Sequence, residues 1–105
     1  MPEYFRFIRI TFDPSKYDAM MAHADSQVER IKGVPEVRAV RTVLVAENQT
    51  ITIGRCDSKE AWEASAEQIT SIWSGFAEFM TEEPYTQDGD MVWSCLLYTS
   101  PSPRD

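Results

Sequence analysis

Two tryptophans stand out as residues that could bind a flat molecule. Trp62 and Trp73 are eleven positions apart in a segment with helical periodicity, so both indoles lie on one face about three turns apart. Two indoles in this arrangement could hold an aromatic substrate between them. Ordinary packing of a helix against a sheet gives the same spacing, and it is the preferred interpretation.

Arg9 and Arg41 are the cations best placed to bind an anionic group. Arg9 follows Phe5 and Phe7 on one face of the first predicted strand, so a covered face would bury its charge. A buried arginine needs an anionic partner, which could be a substrate carboxylate or enolate. An acidic residue of a second subunit is the slightly preferred partner. Arg41, in the second strand, has the same two interpretations, and Phe7 is a further pocket candidate.

The other reactive side chains form no recognisable catalytic group. His23, the only histidine, falls off the apolar face of its helix and is expected at the surface. Cys56 is expected to be a small buried residue. No Ser–His–Asp grouping, glycine-rich phosphate loop or zinc-ligand spacing is present, so no metal, cofactor or catalytic residue is assigned. Four acidic residues are expected in a solvated loop: Glu82, Glu83, Asp88 and Asp90.

The composition is typical of one soluble, acidic domain. The chain has 105 residues, 43% of them hydrophobic, and a formal net charge of −7. This charge argues against nucleic acid and against anionic membrane surfaces as partners. No apolar run approaches the roughly 20 residues that span a bilayer. The start of the chain lacks the pattern of a signal peptide, so we expect a cytoplasmic protein with reduced cysteines.

The periodicity and the capping signals predict six elements. Asp13 and Asp57 are predicted to cap the two helices, and Gly75 is predicted to mark a bend or a close contact. Residues 82–90 are predicted to be a loop with a turn at Asp88–Gly89. The order is strand, helix, strand, strand, helix, strand, at residues 4–12, 13–35, 36–46, 50–56, 57–80 and 91–94. This order predicts an α+β, ferredoxin-like fold: a four-stranded antiparallel sheet with two helices on one face.

The first strand has apolar side chains on both faces. Ile8, Ile10 and Phe12 are assigned to the face that the helices cover, which leaves Phe5 and Phe7 on a face without helices. The second strand is also apolar on both faces. A bare apolar sheet face must be buried against something, and a second copy of the chain is the simplest partner. The pattern therefore predicts a homodimer that packs sheet to sheet.

The last eleven residues, "CLLYTSPSPRD" at 95–105, differ from the rest of the chain. They resemble one reading frame of the transposon end and adapter used in tagmentation sequencing libraries. We therefore interpret 95–105 as a non-native tail from an environmental, metagenomic or shotgun read. The native domain is then residues 1–94, and Cys56 is its only cysteine.

Three segments resemble the dimeric α/β-barrel superfamily, in particular antibiotic biosynthesis monooxygenase-like domains. They are "FRFIRITFDPSKYDAM", "IKGVPEVRAVRTV" and "DSKEAWEAS". The resemblance implies a dimer of ferredoxin-like subunits, with a pocket between helices and sheet that Trp62 and Trp73 would line. A histidine common in the family falls on Ser65 here, which disfavours a His-ligated haem and makes Ser65 a further pocket candidate.

The resemblance implies one activity and leaves one alternative open. The activity is that of a cofactor-independent monooxygenase, an oxidoreductase that acts on a small aromatic or enolisable substrate. The alternative is a non-catalytic dimeric module that binds a small ligand or only assembles. The absence of a well-placed base speaks against the first, and the residues satisfy the second without strain.

Overall fold

The computed structural model describes residues 2–95 and confirms the ferredoxin-like α+β fold. Its four strands form one antiparallel sheet in the spatial order β2-β3-β1-β4. None of the helices within residues 2–95 is long and apolar enough to cross a membrane. The elements are β1 (Tyr4–Thr11), α1 (Tyr17–Ser26), α2 (Val28–Lys32), β2 (Val37–Ala46), β3 (Gln49–Cys56), α3 (Lys59–Ser74) and β4 (Tyr85–Asp90), with 3-10 turns at Pro14–Lys16 and Ala77–Phe79.

The first predicted helix is divided into two at Gln27. The hydroxyl of Ser26 donates to the carbonyl oxygen of His23, 2.6 Å away. In a continuous α-helix, that carbonyl would accept the hydrogen bond of the Gln27 amide. That amide bonds instead to Ala24, at 3.0 Å. The tighter turn ends α1 and redirects the chain into α2.

The two predicted helix caps have different outcomes. Asp13 caps as predicted, since its carboxylate accepts from the amide of Ser15 at 3.0 Å, although the turn that it begins is a 3-10 turn. The prediction for Asp57 is wrong. Ser58 caps α3 by accepting from the Ala61 amide at 3.1 Å, while Asp57 pairs with Arg38 at 2.6 Å.

The fourth strand lies earlier than predicted. β4 pairs with β1 from Arg9 opposite Tyr85 to Tyr4 opposite Asp90, and residues 91–95 follow without regular structure. The predicted loop is therefore confirmed only at residues 82–84, and the predicted turn at Asp88–Gly89 is wrong. As an edge strand with a polar sequence, β4 carries little of the apolar alternation that identifies a buried strand.

The core is divided into two clusters on the helix-covered side of the sheet. One cluster forms around Ile8 and Ile10 of β1 and Phe12 just after it, as predicted, and the other is much smaller. The smaller cluster consists of Tyr4, Cys56 and Trp62. Between the two clusters the helix layer and the sheet are not in full contact.

The opposite side of the sheet, which we call the open face, keeps exposed apolar side chains. Phe7 is 40% exposed, and Val43 and Tyr85 are more so. β2, at the edge of the sheet, is exposed along most of its length. The predicted non-native tail lies outside the described residues, except for Cys95, so its interpretation stays a prediction.

Candidate functional site

An apolar cavity of about 110 Å³ lies between the sheet and the helices, where the two core clusters separate. Strands β1 and β3 form its floor, and α1 and α3 form much of its roof. Six of the residues that line it are Tyr4, Arg6, Ile8, Gly54, Trp62 and Trp73.

Small side chains on β3 produce the cavity. Thr50, Thr52 and Gly54 alternate along the helix-facing side of that strand, opposite the inward residues of β1. A β-carbon built on Gly54 would meet no atom within 4 Å. The absence of a side chain at Gly54 therefore leaves space that the helices do not fill.

Arg6 brings a positive charge to the cavity wall. Its guanidinium carbon lies 4.2 Å from the centre of the Trp62 ring, which is the distance of a cation–π contact. Its Nε atom is buried and has no hydrogen-bond partner within residues 2–95. Arg6 was not among the predicted site residues, although the alternation that assigns Ile8 to the helix side also assigns Arg6 there.

Tyr4 and Asp88 form a second polar group beside the cavity. The Tyr4 hydroxyl donates to the Asp88 carboxylate. This hydrogen bond, together with burial and nearby carboxylates, raises the pKa of Tyr4 to about 12. Tyr4 lines the cavity and stays protonated near neutral pH, so it can exchange a proton only if Asp88 takes one. Neither residue was predicted for the site, because the contact depends on the register of β4.

The three α3 candidates differ in their access to the cavity. Trp62 is buried and Trp73 is partly exposed, and both line the cavity. Trp73 also packs against Phe76, with 4.9 Å between ring centres. Core packing and the lining of a cavity are therefore compatible roles for these indoles. Ser65 is fully buried, donates to the Trp62 carbonyl at 3.0 Å and does not line the cavity.

The other three candidates lie on the open face. Arg9 is opposite Tyr85, and its guanidinium carbon lies 4.9 Å from the centre of that ring. Phe7 and Arg41 both pair with Ile53, from opposite sides of β3. Arg9 and Arg41 are thus separated by a whole strand, about 10 Å across the sheet. The sheet separates all three candidates from the cavity.

His23 does not lie in solvent as predicted. Its ring packs edge-on against Phe76, with 4.6 Å between ring centres, and its Nε2 atom is buried without a partner within residues 2–95. Gly75 makes this possible, since a β-carbon there would lie 3.0 Å from Nε2. The close contact predicted at Gly75 is therefore present, and the helix-wheel prediction for His23 is wrong. His23 does not line the cavity.

Cys56 is buried, as predicted. Burial, followed by the charges of Asp57 and Glu36, raises the pKa of its thiol. Residues 2–95 contain no group of three or more histidine, cysteine or acidic side chains that could hold a metal ion.

Comparisons with solved structures support the fold. A Nitrosomonas europaea protein of unknown function aligns with 93% of this chain and 97% of its own, with a TM-score of 0.74 and 11% identity. A Caulobacter crescentus protein named as a candidate antibiotic biosynthesis monooxygenase gives 88% and 92% coverage, a TM-score of 0.73 and 11% identity. A dimeric ferredoxin-like protein from an uncultured marine organism gives 93% and 95% coverage, a TM-score of 0.72 and 12% identity. The chain matches no family model and no curated protein.

Proposed function

We propose that the protein is a cofactor-independent monooxygenase, an oxidoreductase that acts on a small aromatic or enolisable substrate in the cavity. The observation that carries the proposal is the placement of a cation, Arg6, and a hydrogen-bonded hydroxyl, Tyr4, at the wall of a largely apolar space that Arg55 and three threonines also line. The name of the similar Caulobacter crescentus protein supports the same class of reaction.

The first step is the loss of a proton from an activated CH₂ group of the substrate. This proton moves to the Tyr4 oxygen while the Tyr4 proton moves to Asp88, so that no tyrosinate accumulates. The resulting substrate carbanion is stabilised as an enolate by the positive charge of Arg6. The apolar walls strengthen this interaction because they exclude water.

Dioxygen then reacts with the substrate anion. A carbon–oxygen bond forms to give a peroxide anion, which takes back the proton held by Asp88. The hydroperoxide loses water to leave a carbonyl, so that CH₂ and O₂ become C=O and H₂O. Carbon is oxidised and both oxygen atoms are reduced, with one oxygen in the product and one in water. Trp62 and Trp73 position the substrate ring, and no cofactor is required.

The functional unit in this proposal is a homodimer of residues 1–94, and the tail at 95–105 has no role. Two open faces that pack together would bury Phe7 and Val43, which are otherwise exposed. Arg9 and Arg41 would then lie at the interface and pair with acidic groups of the partner or with a ligand carboxylate. A cytoplasmic location is part of the proposal and is consistent with the buried free thiol of Cys56.

The second candidate function is a non-catalytic dimeric module that binds a small ligand or only assembles. The raised pKa of Tyr4 favours it, because a hydroxyl that holds its proton tightly is a poor donor to Asp88, and the proposed proton relay depends on that donation. This module would use the same cavity without any reaction with oxygen. Binding without oxygen consumption is the result that separates the two functions.

The experiment is oxygen uptake by the full chain with one-ring enolisable compounds that contain an activated CH₂ group, and with larger anthrone-like compounds for comparison. We expect uptake above the blank, and a decrease of about tenfold or more in kcat/KM in Trp62→Ala. Trp62→Phe keeps an aromatic ring and checks that the loss is not due to unfolding. Trp93→Ala is the matched control, because Trp93 is 79% exposed and lies outside the cavity. No uptake with any substrate would leave the binding module as the function.

A further inference from the structure

We propose that Arg6 and Gly54 form a subsite for the carboxylate of a one-ring aromatic or enolic acid. The two residues are directly opposite each other on β1 and β3, and both line the cavity. The inference rests on the proposed function in that it names the substrate class of the same cavity. It can be tested separately, because binding of a carboxylate requires no reaction with oxygen.

The orientation of Arg6 leaves hydrogen-bond donors free for a ligand. The guanidinium carbon lies 4.2 Å from the centre of the Trp62 ring, and the group takes part in no ion pair within residues 2–95. Nε is one of these donors, and it is buried without a partner. An unsatisfied buried donor is unfavourable, and a ligand oxygen would remove this cost. A carboxylate fits best, because its two oxygens match the fork of an arginine edge.

Asp88 and Glu3, two acidic residues close to Arg6 along the sheet or the chain, have other partners. Asp88, opposite Arg6 on β4, accepts the hydroxyl of Tyr4. Glu3 pairs with Arg55 at 3.0 Å. Within residues 2–95 Arg6 takes part in no ion pair, although the chain carries a net charge of −7. The charge of Arg6 therefore stays available for an anion from outside the protein.

The size of the cavity selects the rest of the ligand. A volume of about 110 Å³ is somewhat smaller than that of an engineered cavity of about 150 Å³ that binds benzene, so a ligand with a single ring matches this space best. Gly54 provides the space beside Arg6, because it has no side chain and a β-carbon built there would meet no atom within 4 Å. The ligand class is thus a planar, one-ring acid.

The test is the binding of benzoate and of benzamide, which has the same shape without the charge. The indole N–H signal of Trp62 in the full chain reports binding by NMR. We expect benzoate to bind at least about tenfold more tightly than benzamide. Arg6→Gln should weaken benzoate binding by at least about tenfold and leave benzamide nearly unchanged. Arg6→Lys keeps the charge without the fork and should give an intermediate value.

A matched pair of variants tests the role of Gly54. Gly54→Val fills the cavity and should abolish the binding of both compounds. Gly89→Val makes the same change on the open face, where a β-carbon also meets no atom within 4 Å, and should leave binding unchanged. Valine suits a strand, so neither variant should unfold the chain.

Three results would overturn the proposal. They are equal affinity for benzoate and benzamide, no benzoate binding at millimolar concentration, and loss of benzoate binding in Arg9→Gln but not in Arg6→Gln. The last result would move the anion site to the open face. Benzoate binding through Arg6 without oxygen uptake from any substrate would refute the monooxygenase and leave this subsite intact. Oxygen uptake together with equal affinities for benzoate and benzamide would refute only the subsite.

Discussion

The His23 ring occupies the space that a side chain at Gly75 would need, since a β-carbon on Gly75 would lie 3.0 Å from the Nε2 atom of the histidine. His23 fills this space with a ring that packs against Phe76 and Phe79. Gly75 ends α3 with ordinary right-handed backbone angles, so its conformation does not require glycine. The contact with His23 is the reason that a larger residue is unfavourable there.

This contact predicts a non-additive pair of substitutions. Gly75→Ala alone should leave stability unchanged or lower it, because the new methyl group forces His23 to move. In a His23→Ala background the same change should raise the free energy of unfolding by about 0.5–1 kcal/mol, through the lower entropy of the unfolded chain. Urea unfolding of the four proteins in the cycle measures the coupling. Equal effects of Gly75→Ala in both backgrounds would contradict the contact.

The Tyr4–Asp88 hydrogen bond predicts a change of stability with alkaline pH. The pKa of Tyr4 is about 12 in the folded protein, against an ordinary value of 10, so the folded state holds this proton more tightly. The stabilisation is complete below pH 10 and is lost as the pH rises toward 12. The free energy of unfolding should therefore fall less steeply over this range in Tyr4→Phe than in the unmodified chain. Tyr85→Phe, at an exposed tyrosine, is the control and should follow the unmodified chain.

The burial of Cys56 predicts a thiol that resists alkylation. Its pKa is raised by burial and by Asp57 and Glu36, so little thiolate forms near pH 8. Cys95 is exposed and provides an internal control in the same molecule. Mass spectrometry after iodoacetamide treatment should show rapid modification of Cys95 and slow modification of Cys56, with the two rates converging in urea. Equally rapid modification in the native protein would show that Cys56 is accessible.

The open face predicts dimerisation that depends on its apolar side chains. Val43 is 49% exposed on this face, and Val43→Glu should convert a dimer at micromolar concentration into a monomer. Val28, 40% exposed on α2, provides the control, since Val28→Glu should keep the dimer. Sedimentation velocity distinguishes the two states. If the unmodified protein sediments as a monomer at this concentration, the proposed sheet-to-sheet interface does not form.

The sequence predicted those parts of the fold that follow from local patterns. The alternation along β1 correctly assigned Ile8 and Ile10 to the helix side, because burial of one face imposes a period of two. The same alternation contained Arg6 and Tyr4, and it would have indicated a charge at the helix side. Asp88 could not be found in this way, since its contact with Tyr4 depends on strand pairing between distant segments.

Other differences arose where local signals compete. Asp57 and Ser58 are both good capping residues, and the ion pair of Asp57 with Arg38 decides which one caps α3. The first helix is interrupted at Gln27, whose amide bonds to Ala24 in place of His23, and a helix-wheel pattern does not show this change. The placement of His23 depended on tertiary packing against the Phe76 region, which overrides the position of a residue on the wheel.

Oxygen-isotope labelling tests the monooxygenase most directly. The full chain is incubated with ¹⁸O₂ and a one-ring substrate that contains an activated CH₂ group, and the product is analysed by mass spectrometry. The proposed reaction predicts one ¹⁸O atom in each product carbonyl, no release of hydrogen peroxide and no loss of rate with metal chelators. Product without ¹⁸O, or oxygen consumption that ends in hydrogen peroxide, would contradict it.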